Sequence, residues 1–107
     1  MSKLKKNYVI DFTNVKYYLE MHYVIKEALD FPDYYGCNWS AFWDCLTDMY
    51  GDIIYIKIVG IDIIQNKFDD AAEKMIEILK RFKHHSHYFE DDIKIEVIRG
   101  AKREIIE

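Results

Sequence analysis

Residues 52–60, DIIYIKIVG, constrain the fold more than any other segment of the chain. The segment is nearly continuous in β-branched and other apolar residues. Strands of this composition occur in parallel sheets, where other elements cover both faces. We therefore expect residues 52–60 to form a central strand that is covered on both sides.

Two further segments predict strands. Residues 7–12, NYVIDF, are rich in β-branched and aromatic side chains. In residues 93–98, IKIEVI, apolar side chains alternate with Lys94 and Glu96, which indicates a strand with one exposed face. Three strands separated by helical segments imply an α/β fold, a three-stranded, mostly parallel sheet with helices packed on it.

The segments between the strands show apolar residues at helical spacing. The first helix is expected to begin at a cap, Thr13 or Asn14, and to end before Pro32, because proline disfavours the helical conformation of the residue before it. Residues 61–68 are expected to add one or two helical turns, and residues 69–85 a longer helix. The apolar positions of the first helix are Val15, Tyr18, Leu19, Val24, Ala28 and Leu29. Those of the long helix are Ala72, Met75, Ile76, Leu79 and Phe82.

Length and composition are typical of one globular domain over residues 1–107. The chain is 50% apolar and has a single proline. Residues 100–107 are expected to form a frayed or short helical tail. No apolar run approaches the roughly 20 residues of a membrane helix, and the first residues lack a secretory pattern. We expect a cytoplasmic monomer, with Cys37 and Cys45 as free thiols.

Charge and glycine spacing argue against several kinds of ligand. Fifteen basic and nineteen acidic residues give a formal charge of −4, so a basic protein is an easier partner than a nucleic acid. The four glycines are isolated from one another, and the sequence therefore contains no phosphate-binding loop. We expect no cofactor.

Three arrangements could in principle support a metal site or catalysis. The cluster His84, His85 and His87 could bind a metal, although a solvated helix end is the favoured interpretation. Cys45 with His22 could form a nucleophile and base, but a cysteine at an apolar helical position is usually a core residue. The pair of Asp44 and Asp48 could act as two catalytic carboxylates, but it has the character of a surface, and we predict no enzyme activity.

Residues 33–48 combine aromatic and acidic side chains in one segment. Asn38 or Ser40 can cap a helix that runs to about Tyr50, with Gly51 just past its end. On a helical wheel, the apolar stripe consists of Phe42, Cys45, Leu46 and Met49. A separate polar line consists of Ser40, Asp44 and Asp48. Trp39 and Trp43 lie between the two lines, and aromatic side chains beside acids are typical of a protein-binding hot spot.

The segment FPDYYGCNWSAFWDCLTD, residues 31–48, resembles the signature of the barstar family, the intracellular inhibitors of secreted ribonucleases such as barnase. The resemblance implies that the second helix and the loop before it enter the cleft of a basic ribonuclease, where acidic side chains occupy phosphate sites. It implies partner contacts by Tyr34, Gly36, Asn38, Trp43, Asp44 and Thr47. Trp39, Ser40 and Asp48 join them as candidate partner-binding residues.

The sequence departs from the family pattern at three positions. Ser40 stands where barstar has a second interface aspartate, Asp48 replaces a glycine, and the acidic contact of the last helix falls near Arg81. We expect a ribonuclease inhibitor with a basic secreted or toxin ribonuclease as its partner. The alternative is a barstar-like interaction module or antitoxin whose target is not a ribonuclease.

Overall fold

The computed structural model describes residues 5–85 and 92–106. Within these residues, four helices and four strands follow one another along the chain. They are β1 (Lys5–Asp11), α1 (Tyr18–Ala28), α2 (Trp39–Thr47), β2 (Ile53–Val59), α3 (Ile61–Lys67), α4 (Ala71–His85), β3 (Asp92–Arg99) and β4 (Lys102–Ile105). None of the helices in this part of the chain is both long and apolar enough to cross a bilayer.

The strands form one sheet in the order β1-β2-β3-β4. The pairs β1–β2 and β2–β3 are parallel, and Ile56 of β2 lies in register between Tyr8 and Ile95. The predictions of an α/β fold and of a central strand over residues 52–60 are therefore confirmed.

Coverage of β2 on both faces is not observed. Its alternate residues Ile54, Ile56 and Ile58 are fully buried, whereas the residues between them are only half-buried. On this second face the neighbouring strand supplies the partial cover: Lys94 Nζ lies 5.6 Å from the ring centre of Tyr55. Long polar side chains from β3 thus cover part of the face that a second layer of helices would otherwise bury.

Glu96 is buried, although the alternation in β3 predicts an exposed side chain. The hydroxyl of Tyr55 donates a hydrogen bond to its carboxylate, and Arg103 Nε lies 3.4 Å from its Oε1. The hydrogen bond from Tyr55 holds the pKa of Glu96 below its usual value, with the charge of Arg103 acting in the same direction. Burial of the acid is tolerated because its partners come from two neighbouring strands.

Residues 102–105 form a fourth strand, so the expected number of three strands and the expected helical tail are wrong. Gly100 adopts a left-handed conformation with φ of 58° and turns the chain back antiparallel to β3. The backbone N–H of Ile106 then donates to the carbonyl of Ile95 at 3.0 Å, and the side chain of Ile106 is 5% exposed. Backbone pairing and burial of Ile106 outweigh the weak helical preference of the segment.

Helix α1 begins later than predicted, and the predicted apolar stripe is only partly buried. The carboxylate of Glu20 accepts hydrogen bonds from the backbone N–H groups of Lys16 and Tyr17, so the first turn begins at Tyr18. Of the predicted stripe, Val15 and Leu29 are buried, whereas Tyr18 and Leu19 are exposed. Within the helix itself, the buried residues are Met21, His22 and Ile25.

Candidate protein-binding site

Asn38 joins the loop before α2 to the helix. Its side-chain Oδ1 accepts a hydrogen bond from the backbone N–H of Ala41 at 2.8 Å, which caps the helix. Its Nδ2 donates to the carbonyl of Gly36 at 3.1 Å. Of the two predicted caps, Asn38 is the one used. The side-chain amide thereby fixes the position of the loop relative to the helix.

Gly36 lies where the loop approaches this cap closely. A Cβ added at Gly36 would be 3.2 Å from Asn38 Nδ2 and 3.5 Å from the Cβ of Ala41. The next residue, Cys37, has a φ of 52°, which is uncommon outside glycine. A larger residue at position 36 would press on the capping amide of Asn38.

The two adjacent tyrosines of the loop point in different directions. Tyr34 is 80% exposed, whereas Tyr35 is 6% exposed. The hydroxyl of Tyr35 is hydrogen-bonded to Nδ1 of His22 on α1. Burial raises the pKa of Tyr35 and lowers the pKa of His22. Tyr35 therefore anchors the loop and leaves Tyr34 open to solvent.

Helix α2 divides into the two faces predicted by its helical wheel. Phe42, Cys45 and Leu46 are buried, and Met49, just beyond the helix, is half-buried. The polar line of Ser40, Asp44 and Asp48 is exposed, with Trp39 and Trp43 half-buried between the two. The hydroxyl of Thr47 donates to the carbonyl of Asp44 at 2.8 Å, so this side chain is held against its own helix.

A groove of about 500 Å³ separates α2 from α4. Helix α2 contributes Trp39, Ser40, Trp43 and Asp44 to its lining, and α4 contributes Lys74, Glu77, Ile78 and Arg81. The four α2 residues were predicted from the sequence as binding residues, whereas of the four α4 residues only Arg81 was singled out. The α4 residues recur at spacings of three and four along the edge of the apolar stripe, and this pattern was the available signal.

The two tryptophans occupy different positions around this groove. The ring centre of Trp39 lies 4.8 Å from that of His22 and 5.6 Å from that of Phe42, so Trp39 packs toward the core. The guanidinium carbon of Arg81 lies 5.4 Å from the ring centre of Trp43. Trp43 therefore links α2 to α4.

The groups considered for metal binding or catalysis occupy different environments within the described residues. No cluster of three or more His, Cys, Asp or Glu side chains suited to a metal is found in that part of the chain. His84 and His85 end α4, and His87 lies outside the described residues. Cys45 is a buried, free thiol whose pKa is raised by burial. Asp44 and Asp48 lie on an exposed helix surface.

Comparison with known proteins agrees with this geometry. A family model described as "Barstar (barnase inhibitor)" matches residues 6–98, which include the whole candidate site. The chain is also 31% identical over 70 residues to the Bacillus subtilis (strain 168) protein named "Putative ribonuclease inhibitor YrdF", covering 65% of this chain and 74% of that protein. The chain therefore belongs to the barstar family.

Proposed function

We propose that this protein is a non-catalytic, intracellular inhibitor of a basic ribonuclease. In this proposal, α2 and the loop before it fill the RNA-binding cleft of the enzyme. The observation that best supports this proposal is the position of Asp44. Its side chain is exposed at the edge of the α2–α4 groove, and the opposite face of its helix is buried in the core. The family membership of the chain and the name of its Bacillus subtilis relative support the same function.

Asp44 is suited to replace an RNA phosphate in such a cleft. A carboxylate can accept the two parallel hydrogen bonds of an arginine much as phosphate does. No ion pair involves Asp44 within residues 5–85 and 92–106, so both of its oxygens are available to a partner. Because Phe42 and Leu46 hold the helix, Asp44 meets the partner without a large ordering cost.

The neighbouring side chains supply contact area around this anion. Tyr34 and Trp43 act as aromatic anchors, and Gly36 allows the partner to approach the backbone. Asn38 and Thr47 make internal hydrogen bonds and support the surface as well as bordering it. Trp39, Ser40 and Asp48 complete the proposed contact surface.

The test is inhibition of purified barnase and related secreted ribonucleases, followed by titration calorimetry on an enzyme that the protein inhibits. We expect Asp44→Ala to weaken the complex by about 2 to 5 kcal/mol, because it leaves a desolvated basic group of the enzyme unpaired. Asp62→Ala, at an exposed aspartate of α3, is the matched control and should leave affinity unchanged. Equal affinities of the Asp44→Ala variant and the wild-type protein would refute the role of Asp44.

A further inference from the structure

The groove between α2 and α4 carries charges of both signs. Asp44 and Glu77 contribute two negative charges, and Lys74 and Arg81 contribute two positive charges. On the α2 wall, Ser40 is uncharged, so Asp44 is the one acid that this wall supplies to the lining. Both cations belong to α4, seven residues apart on one side of that helix. A uniformly basic surface would therefore match only part of the groove.

Arg81 is the cation best placed to meet a partner. Its guanidinium lies over the ring of Trp43, which limits its freedom before binding. Lys74 Nζ, in contrast, lies 3.5 Å from a carboxylate oxygen of Asp70. Arg81 forms no ion pair within the described part of the chain, so its N–H donors remain available.

We propose that Arg81 is a specificity-determining residue, which selects ribonucleases with a carboxylate at the rim of an otherwise basic cleft. This inference rests on the proposed function. Because Arg81 lies over the ring of Trp43, a ribonuclease cleft that covered Trp43 would also cover Arg81 and displace the water around its guanidinium group. A basic side chain at that point would repel Arg81, whereas a carboxylate would accept its paired hydrogen bonds.

The charges of the groove favour a protein carboxylate over a phosphate chain as the group that faces Arg81. Asp44 and Glu77 line the same groove and would repel a polyanion such as RNA. A folded protein surface can instead offer a cation to Asp44 and an anion to Arg81. The expected partner surface is therefore a neighbouring pair of opposite charges.

The test compares inhibition constants of charge variants against a panel of purified barnase-type ribonucleases, including barnase. For enzymes that the wild-type protein inhibits, Arg81→Glu should raise the inhibition constant about 30-fold or more. Arg81→Lys should raise the inhibition constant less than Arg81→Glu does, because lysine keeps the positive charge but lacks the planar guanidinium group that binds a carboxylate through two hydrogen bonds. Lys80→Glu makes the same charge change one residue away, outside the groove lining, and should change the constant less than about threefold.

A second measurement identifies the partner group. In the most strongly inhibited ribonuclease, each acidic residue at the cleft rim is changed to lysine in turn. One of these changes should weaken binding of the wild-type protein and restore binding of the Arg81→Glu variant. Circular dichroism should be the same for all three inhibitor variants, because Arg81 and Lys80 are exposed.

Each result bears on the inference in a defined way. An Arg81→Glu variant that inhibits as well as or better than the wild-type protein overturns the role of Arg81, while the proposed function stands. Equal losses for Arg81→Glu and Lys80→Glu also overturn it, since net charge would then explain both. A wild-type protein that inhibits no ribonuclease in the panel refutes the proposed function and the inference together.

Discussion

The hydroxyl oxygen of Tyr35 lies 2.7 Å from Nδ1 of His22, a histidine with no exposed surface. This contact ties the loop before α2 to helix α1. The same imidazole packs against Trp39, with ring centres 4.8 Å apart. Its Nε2 has no hydrogen-bond partner among the described residues. His22 therefore supports the candidate binding surface from beneath, in an environment that disfavours its charged form.

We expect the protein to lose stability as the pH falls below about 6.5, the ordinary pKa of histidine. Burial lowers the pKa of His22 in the folded state, so the unfolded chain binds a proton first. The free energy of unfolding should fall by up to about 1.4 kcal/mol per pH unit in this range. Urea unfolding at pH 7.5 and 5.5 measures the loss. The loss should be smaller in His22→Asn than in the wild-type protein, and equal losses in the two proteins would contradict the assignment to His22.

Substitutions at the two adjacent tyrosines of the loop should affect different properties: those at Tyr35 should lower stability, and those at Tyr34 should weaken binding. Tyr35→Phe removes the partner of His22 Nδ1 and should lower the free energy of unfolding by about 1 to 3 kcal/mol. Tyr34→Phe, at an exposed position, should change it by less than about 0.5 kcal/mol. Tyr34→Ala should weaken ribonuclease binding while preserving stability. Chemical denaturation and calorimetry check the two effects, and similar stability losses at both positions would contradict this division.

Asn38 should be important for the shape of the site through two separable hydrogen bonds. Asn38→Ala removes the helix cap and should lower the free energy of unfolding by about 1 kcal/mol. Asn38→Asp keeps the acceptor for the N–H of Ala41 and loses only the donor to the carbonyl of Gly36. It should therefore lower the free energy of unfolding less than Asn38→Ala does. Urea midpoints of the two variants provide the comparison. An Asn38→Asp variant as unstable as Asn38→Ala would show that the bond to Gly36 dominates.

Much of α2 could be predicted because its determinants lie within a few residues of one another. The helical period of 3.6 residues places Phe42 and Leu46 on one face and Asp44 on another. The cap at Asn38 accepts a hydrogen bond from the backbone N–H of Ala41, only three residues away. The burial of these side chains follows from the helix itself. The opposite roles of Tyr34 and Tyr35 could not be predicted in the same way, because they depend on His22 from another helix.

Two errors in the predicted elements have a related cause. Glu96 follows an alternating pattern that predicts exposure, but Tyr55 and Arg103 from neighbouring strands enclose it. Residues 102–105 have no strong pattern of their own, and their strand depends on pairing with β3. In each case the deciding partner is distant in sequence or comes from another strand.

Local spacing alone specified helix α2 and the strand character of residues 53–59, and it limited the helix cap to Asn38 or Ser40. Tertiary structure decided which side chains of other elements lie beside the α2 residues. Only the packing of α2 against α4 brings Asp44 and Trp43 into one groove with Arg81. The physical reason is range: helical period and capping act over three or four residues, whereas the charge pattern of a groove depends on side chains from separate elements.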